Sequence, residues 1–397
     1  TPEAERRRQA AAERRLPEIR QRQVTIKALM VQELQDGNHV GQAMDIIAIQ
    51  AEPRPNESHY PGCHFVHGHP GREMQTSLQE ATRLVTLRHP RVLRHRFEFS
   101  FADKYSEKDG GSAGAAFTLA LLAMIDGVAI DPAIGVTGDI TVDGTVRTVG
   151  AVEAKIRAAR NARCSLVAIP AGNADVVADL LLLREDELLA AVQILAVANI
   201  DELIATARAD RSERLTEAGR RFADLTRGTL AMGDTSSRIA ALRRIIELCP
   251  QHLSAQALLA RAEGRLLAPR LTGATTWRRL SGCYFHAVRA MRQRGQGIGV
   301  GTEFSQAMAD AEQLRVLCDP AVQRVVDQSN VWLQACARML ETKVQQELEK
   351  VDAKRYELER HVAQRLELAR QEEAKLDDEL RALGKDVQFL ERLQGQP

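Results

Sequence analysis

The stretch "IGVTGDITVDGTVRTVGAVEAKIRAARNARCSLVAIP", residues 134–170, changes its apolar period from that of a strand to that of a helix and back. Residues 134–140 read as a strand. The "VDGTV" of 142–146 carries the Asp-Gly signal of a tight hairpin turn, which pairs 136–142 with 145–149. "VGAVEAKIRAAR" (149–160) is amphipathic and predicts a helix over 152–163, and "SLVAIP" (165–170) returns to β. Such alternation indicates an α/β or α+β domain.

The same alternation continues on both sides. Further strands are predicted at 42–52, 63–68, 95–101 and 191–197, and further helices at 72–87, 112–126, 173–180 and 200–209, so the domain runs over 26–209. Residues 1–25 form a charged, Arg-rich helix or arm without interleaved aromatic residues, which reads as a solvated face. After 210 the strand signals vanish. Residues 210–335 read as a helical domain, in which "SSRIAALRRIIELCPQHLSAQALLARAEGRLLA" (236–268), with Pro250 between two helices, resembles one tetratricopeptide unit. Residues 336–397 read as a long C-terminal coiled-coil helix. Val344, Leu348, Val351, Leu358, Val362, Leu376, Leu380, Leu383, Val387 and Leu390 recur there at spacings of three and four, with Gly384 as a bend.

Lys plus Arg total 54 and Asp plus Glu 53, a formal charge of +1, which argues against a chain-wide grip on nucleic acid. The longest apolar run, near 180–200, is broken by Arg184, Glu185, Asp186 and Glu187, so no membrane span is predicted and the protein is expected to be soluble. The chain starts at Thr1, which leaves the compartment open: cytoplasmic, or exported after removal of a leader. Its six cysteines contain no CxxC pair and read as core thiols, with a Cys318–Cys336 bridge conceivable only after export. His64, His67 and His69 alternate on one strand without a nearby carboxylate or Cys trio, so no metal is expected.

One serine stands out. "EKDGGSAGAAFTLALLAMIDG" (107–127) packs small residues around Ser112 and runs straight into an apolar helix. A serine at a helix mouth either caps orphan N–H groups or attacks a carbonyl whose oxygen falls among them. The whole of 107–173 resembles the proteolytic domain of the Lon family, on its KDGxSAG serine motif, the TGxIxxxGxVxxVGxVxxKIxAAxxA run and the strand ending in Ile-Pro. "GREMQTSLQEA" (71–81) resembles the helix before the family's serine strand, and the likeness covers roughly residues 36–205.

That resemblance implies an α+β Lon-type proteolytic domain and a catalytic dyad of Ser112 and Lys155. It also implies that the Thr137 hydroxyl holds the neutral lysine amine. The chemistry is self-consistent. A serine hydroxyl needs a base, and lysine is a base only when burial disfavours its ammonium form. Lys155 borders the helix face formed by Val152, Ile156 and Ala159. Gly110, Gly111, Ala113 and Gly114 keep the serine loop small enough for a peptide backbone to approach, and Asp109 either orients the loop or caps it.

Departures from the family pattern are Gly111 for proline, Asp139 for glutamate, and Glu98 and Ser100 for two histidines. Two rivals stand beside the peptidase. One is a catalytically inactive Lon-like scaffold or assembly protein. The other is a small-molecule kinase with "GGSAGAAF" as its phosphate loop, a reading that leaves Lys155 without a reason. No GxxxxGK[ST] loop occurs in the sequence, so no cofactor is expected and the peptidase reading is ATP-independent. The expected partners are unfolded or delivered polypeptide substrates, an adaptor on the helical region, and further copies of the chain, since Lon-like domains assemble into rings. Neither membrane nor specific nucleic acid is expected.

Overall fold

The computed structural model describes residues 19–33, 39–51, 62–66, 70–90, 92, 95–102, 110–227, 234–292 and 302–386. The chain divides into two compact units, the first of Thr1–Gln32 and Gly41–Leu266, the second of Glu33–Val40 and Leu267–Pro397.

The first unit is built on a seven-stranded sheet. Its strands are β1 (Gln23–Glu33), β2 (His39–Ala51), β3 (Gly62–Phe65), β4 (Arg96–Phe101), β5 (Ile134–Val136), β8 (Leu166–Pro170) and β9 (Gln193–Val197), with β6 (Asp139–Ile140) and β7 (Val146–Arg147) forming a separate small hairpin. The order across the sheet is β3-β4-β2-β1-β5-β8-β9. β2 runs antiparallel to β4, whereas β1–β5, β3–β4, β5–β8 and β8–β9 pair in parallel. Between the strands come α1 (Arg72–Arg88), α2 (Gly114–Asp126), α3 (Val152–Asn161), α4 (Val176–Leu182), α5 (Asp186–Ala191) and α6 (Ile200–Ala207).

Strand β1 was hidden at the junction of the expected arm and domain. Its alternation places Val24, Ile26 and Ala28 in the core while Gln23 and Thr25 face out. The single strand expected over 134–140 is two, β5 and β6, broken at Thr137–Gly138. Gly138 has φ +154°, and a Cβ there would lie 2.6 Å from Val146 Cγ1, so only glycine makes the turn. The Asp-Gly hairpin forms as read, with Asp139 opposite Arg147 and Ile140 opposite Val146. Helix α2 is buried on all sides, and its Phe117 meets Phe65 and Phe99 edge-on at centroid distances of 5.6 and 5.3 Å.

The unit continues past residue 209 through α7 (Glu213–Arg227), α8 (Thr235–Leu248) and α9 (Leu253–Ala262). The start of α9 closes the outer edge of β9. Ser254 Oγ accepts from Ile194 N–H (3.0 Å) and donates to Val192 C=O (2.8 Å), Ala196 N–H donates to Gln251 C=O (3.1 Å), and His252 bridges Leu195. The helix pair around Pro250, legible in the sequence, thus finishes the sheet of the first unit.

In the second unit lie α10 (Gly273–Arg292), α11 (Thr302–Leu317), α12 (Gln323–Leu348) and α13 (Asp352–Leu383). The single long helix expected over 336–397 is corrected. The apolar stripe is shared by two helices, with extended backbone at Glu349 and Val351 between them. They pack antiparallel. Gln328 donates to Glu372, and Arg365 donates to Arg338 C=O; of the stripe, Leu376 and Leu383 are buried, while Leu348 and Val351 stay exposed. Val387 and Leu390 lie outside the described residues. Buried Trp332 stacks on Tyr284 at 4.9 Å.

Among the described residues no helix is long and apolar enough to cross a membrane. All six cysteines are free thiols, so Cys318 and Cys336 are not joined.

Candidate active site

Residues Gly111–Ala113 form one 3₁₀ turn that leads into α2, with Ser112 half-buried and Ala113 buried. Two backbone bonds tie this turn to the β5–β6 break. Gly138 N–H donates to Ser112 C=O (3.1 Å), and Ala115 N–H donates to Gly138 C=O (3.0 Å). The serine loop and the Thr137–Gly138 turn are therefore neighbours, although 25 positions separate Ser112 from Thr137 in sequence.

Thr137 is 1 % exposed. Its N–H donates to Ala168 C=O (3.2 Å), and its hydroxyl has no hydrogen-bond partner among the described residues. A buried hydroxyl without a partner costs on the order of 1–3 kcal/mol, which native folds retain where a second group completes it.

Lys155 lies on α3 and is 2 % exposed, on the helix side that also buries Val152, Ile156 and Ala159. Two devices fix that helix. The Asn173 side chain accepts from Val149 N–H (3.0 Å) and donates to Val149 C=O (3.1 Å), holding the chain just before the helix. Gly41 on β2 touches the helix so closely that a Cβ would lie 2.0 Å from Ala154 C=O. At the far side Arg157 forms a two-point ion pair with Glu185.

A third element, α1, reaches the serine loop. Its buried Ser77 donates to Gly111 C=O (3.1 Å), and the same hydroxyl lies near the Asp139 carboxylate, both 3.4 Å from where a Cβ at Gly111 would be. Asp139 Oδ1 accepts from Ile140 N–H (2.8 Å) and lies against the α-carbons of both Gly111 and Gly114, where a Cβ would come within 3.4 and 3.2 Å of it. Burial pushes the Asp139 carboxyl above the usual carboxylate range, against the opposing pull of the Ile140 N–H, Arg147 and Ser77.

Two departures noted in the sequence, Gly111 and Asp139, are thus one contact. Ser77 was missed in the sequence. The available signal was a hydroxyl on the apolar side of α1, among Met74, Leu78 and Ala81.

Of the remaining candidates, Asp109 lies outside the described residues, as do His67 and His69, while His64 lies on β3. Among the described residues no group of three His, Cys, Asp or Glu side chains is arranged to hold a metal. Glu98 is buried on β4 and pairs with Arg96 at 2.9 Å; Ser100 lies two positions on. Burial pushes the Cys63 thiol up to about 11 and those of Cys283 and Cys336 up to about 12, so these are core groups rather than nucleophiles.

Fold and site together define a class: a mixed-sheet α/β domain whose serine loop and threonine turn follow the carboxyl ends of β4 and β5. The family follows from comparison. Residues 94–209 match the sequence profile of the Lon protease (S16) C-terminal proteolytic domain, and the chain carries a Lon-type protease domain. It is 42% identical over 96 residues to the peroxisomal Lon protease homolog 2 of Eremothecium gossypii, covering 24% of this chain and 9% of that protein. It is 29% identical over 180 residues to the Lon protease of Mycolicibacterium smegmatis (44% of this chain, 22% of that protein). It is 34% identical over 104 residues to the archaeal Lon protease of Archaeoglobus fulgidus (26% and 16%). The chain spans between 9% and 22% of the length of these curated relatives.

Proposed function

We propose that this chain is a serine endopeptidase in which Ser112 is the nucleophile and Lys155 the general base. The observation that carries the reading is the burial of Lys155 at 2 % exposure, in a domain of the Lon proteolytic family. The reading requires the neutral amine, the form that can take a proton.

In the proposed reaction the amine takes the Ser112 proton as the hydroxyl oxygen attacks the scissile carbonyl. The ammonium then returns a proton to the leaving amine, and water repeats the sequence on the acyl-enzyme. The orphan Thr137 hydroxyl accepts from or donates to the lysine head and keeps it aimed. The N–H groups of the serine turn, at Gly111 and Ala113, stabilise the developing oxyanion, whereas those of Gly114 and Ala115 are spent on Gly111 C=O and Gly138 C=O. Asp109 belongs to the same loop and supports it.

The substrates are unfolded or partner-delivered polypeptides, and hydrolysis needs no ATP, because the sequence has no phosphate loop ending in GK[ST]. The chain self-associates, and its helical region recruits substrate or an adaptor.

Cleavage of unfolded casein by wild type, Ser112→Ala and Lys155→Ala tests the dyad. Both variants are expected to lose at least about 10³-fold in kcat with folding intact, because neither half of the pair works alone. Equal cleavage by all three removes the dyad. A folded wild type that cleaves no peptide in a broad library favours the inactive scaffold, and Ser112-dependent ATP turnover favours the kinase. Magnesium-ATP is expected to leave the rate unchanged, and light scattering at micromolar concentration is expected to give a mass above 43.9 kDa.

A further inference from the structure

The Ser77 hydroxyl has one proton and two acceptors. It donates to Gly111 C=O at 3.1 Å, and the Asp139 carboxylate stands beside it as a second acceptor, Ser77 Oγ and Asp139 Oδ1 each lying 3.4 Å from where a Cβ at Gly111 would be. Gly111 C=O belongs to the peptide unit whose N–H is that of Ser112, so whatever holds this carbonyl holds the serine backbone. We propose that Ser77 and Asp139 form a proton-operated latch on the Ser112 loop, in which the charge of Asp139 decides whether the Ser77 hydroxyl is spent on Asp139 or on the Gly111 carbonyl.

The chemistry of a hydroxyl fixes the direction. An ionised Asp139 only accepts, and a charge-assisted bond outcompetes a neutral one, so the Ser77 proton turns to the carboxylate and Gly111 C=O keeps only the Gly114 N–H of its turn. When Asp139 takes a proton from water it becomes a donor. It can then donate to Ser77 Oγ, and the Ser77 proton returns to Gly111 C=O. Asp139 is placed to transmit this, since it lies against the α-carbons on both sides of Ser112.

The groups facing Asp139 come from every element around it. From its own strand the Ile140 N–H favours the charged form, as does Arg147 on β7, whereas Glu80 on α1 opposes it. Burial outweighs the pull toward ionisation, and the transition lies above the ordinary carboxylate range.

Ser77 and Asp139 are thus positioning residues acting through the backbone. The inference rests on the peptidase reading for its consequence, though not for its test.

Gly-Ser occurs once in the sequence, at Gly111–Ser112. Full-length protein labelled with carbonyl-13C glycine and 15N serine therefore gives one carbonyl-selected amide signal, which reads the Gly111 carbonyl directly. In wild type this carbon is expected to move downfield as pH falls through the Asp139 transition. Asn at 139 is neutral and can donate as well as accept, so Asp139→Asn is expected to hold the acid-limit shift at every pH. Ser77→Ala is expected to stay at the opposite limit throughout. A wild-type signal that does not titrate, or one that titrates identically in Asp139→Asn, overturns the latch.

With peptide substrate at a pH below the Asp139 transition, Ser77→Ala is expected to lower kcat about tenfold with KM unchanged, the scale of one lost hydrogen bond, and above the transition to leave kcat close to wild type. The two arms fail separately. A titrating carbonyl in a protein without peptidase activity retains the latch and sinks the peptidase reading, whereas an active peptidase with a flat carbonyl signal does the reverse.

Discussion

Gly41 shows how one missing side chain can govern a distant one. A Cβ at that position would lie 2.0 Å from Ala154 C=O, the residue before Lys155, and neither backbone can yield without moving α3. Gly41→Ala is therefore expected to lower kcat on peptide substrates by at least about 100-fold, because a displacement near 1 Å at a reacting group costs that much. Peptide cleavage beside circular dichroism separates this from unfolding. His252 makes a different kind of residue-level argument. It is 1 % exposed, its Nδ1 accepts from Ala255 N–H (3.2 Å), and burial depresses its pKa to about 3 from 6.5. The unfolded chain thus binds more protons than the folded one between those values. Stability contributed by neutral His252 is complete above about pH 6.5 and is lost as pH falls toward 3, by roughly 5 kcal/mol at most. His252→Asn keeps a capping side chain and removes the titration, so urea midpoints measured from pH 7 to 4 are expected to fall less steeply in the variant than in wild type. Ser112 and Lys155 could be nominated from the sequence because each stands inside an extended motif. Ser77 was not, because its partner Gly111 is 34 residues away, and no local period reports such a bond.

At the scale of elements, the seam between β9 and α9 rests on Ser254. Its hydroxyl serves both Ile194 N–H and Val192 C=O and is fully buried. Ser254→Ala leaves two backbone groups unsatisfied at once. It is expected to destabilise the first unit by about 1–3 kcal/mol, read as a lower urea midpoint with unchanged slope. The elements with strong periodicity were visible in the sequence: α1, α2, α3, α6, β2, β4, β8 and the Asp-Gly hairpin. Those that escaped did so for physical reasons. The break after Val136 depends on a glycine at φ +154° whose need arises from Val146, a neighbour in space. The division between α12 and α13 falls at Glu349–Val351, where no Pro or Gly interrupts the pattern, and it is packing of the two halves on each other that decides it. Short α5 (Asp186–Ala191) follows a turn at Arg184 with φ +58°, a conformation the charged run did not announce.

For the whole molecule, the proteolytic-family match ends at 209 while the compact unit runs to Leu266. Helices α7–α9 are thereby part of the same compact unit as the matched residues rather than an attachment to it. Their core contribution includes Phe222, Leu242, Ile245 and Leu258, all buried. A chain cut after residue 209 is expected to aggregate at micromolar concentration, and one cut after 266 to stay dispersed and melt cooperatively, with light scattering and calorimetry as the measurements. The edge closed by α9 also fixes a valence. Among the described residues β3 is the sheet's other margin and has a strand on one side only, so the intact unit can join a second copy by strand pairing at a single place. A monovalent particle can form a pair and then stops. Removing α9 makes it divalent, and head-to-tail addition can then propagate without limit, which is the difference between a dimer and a filament.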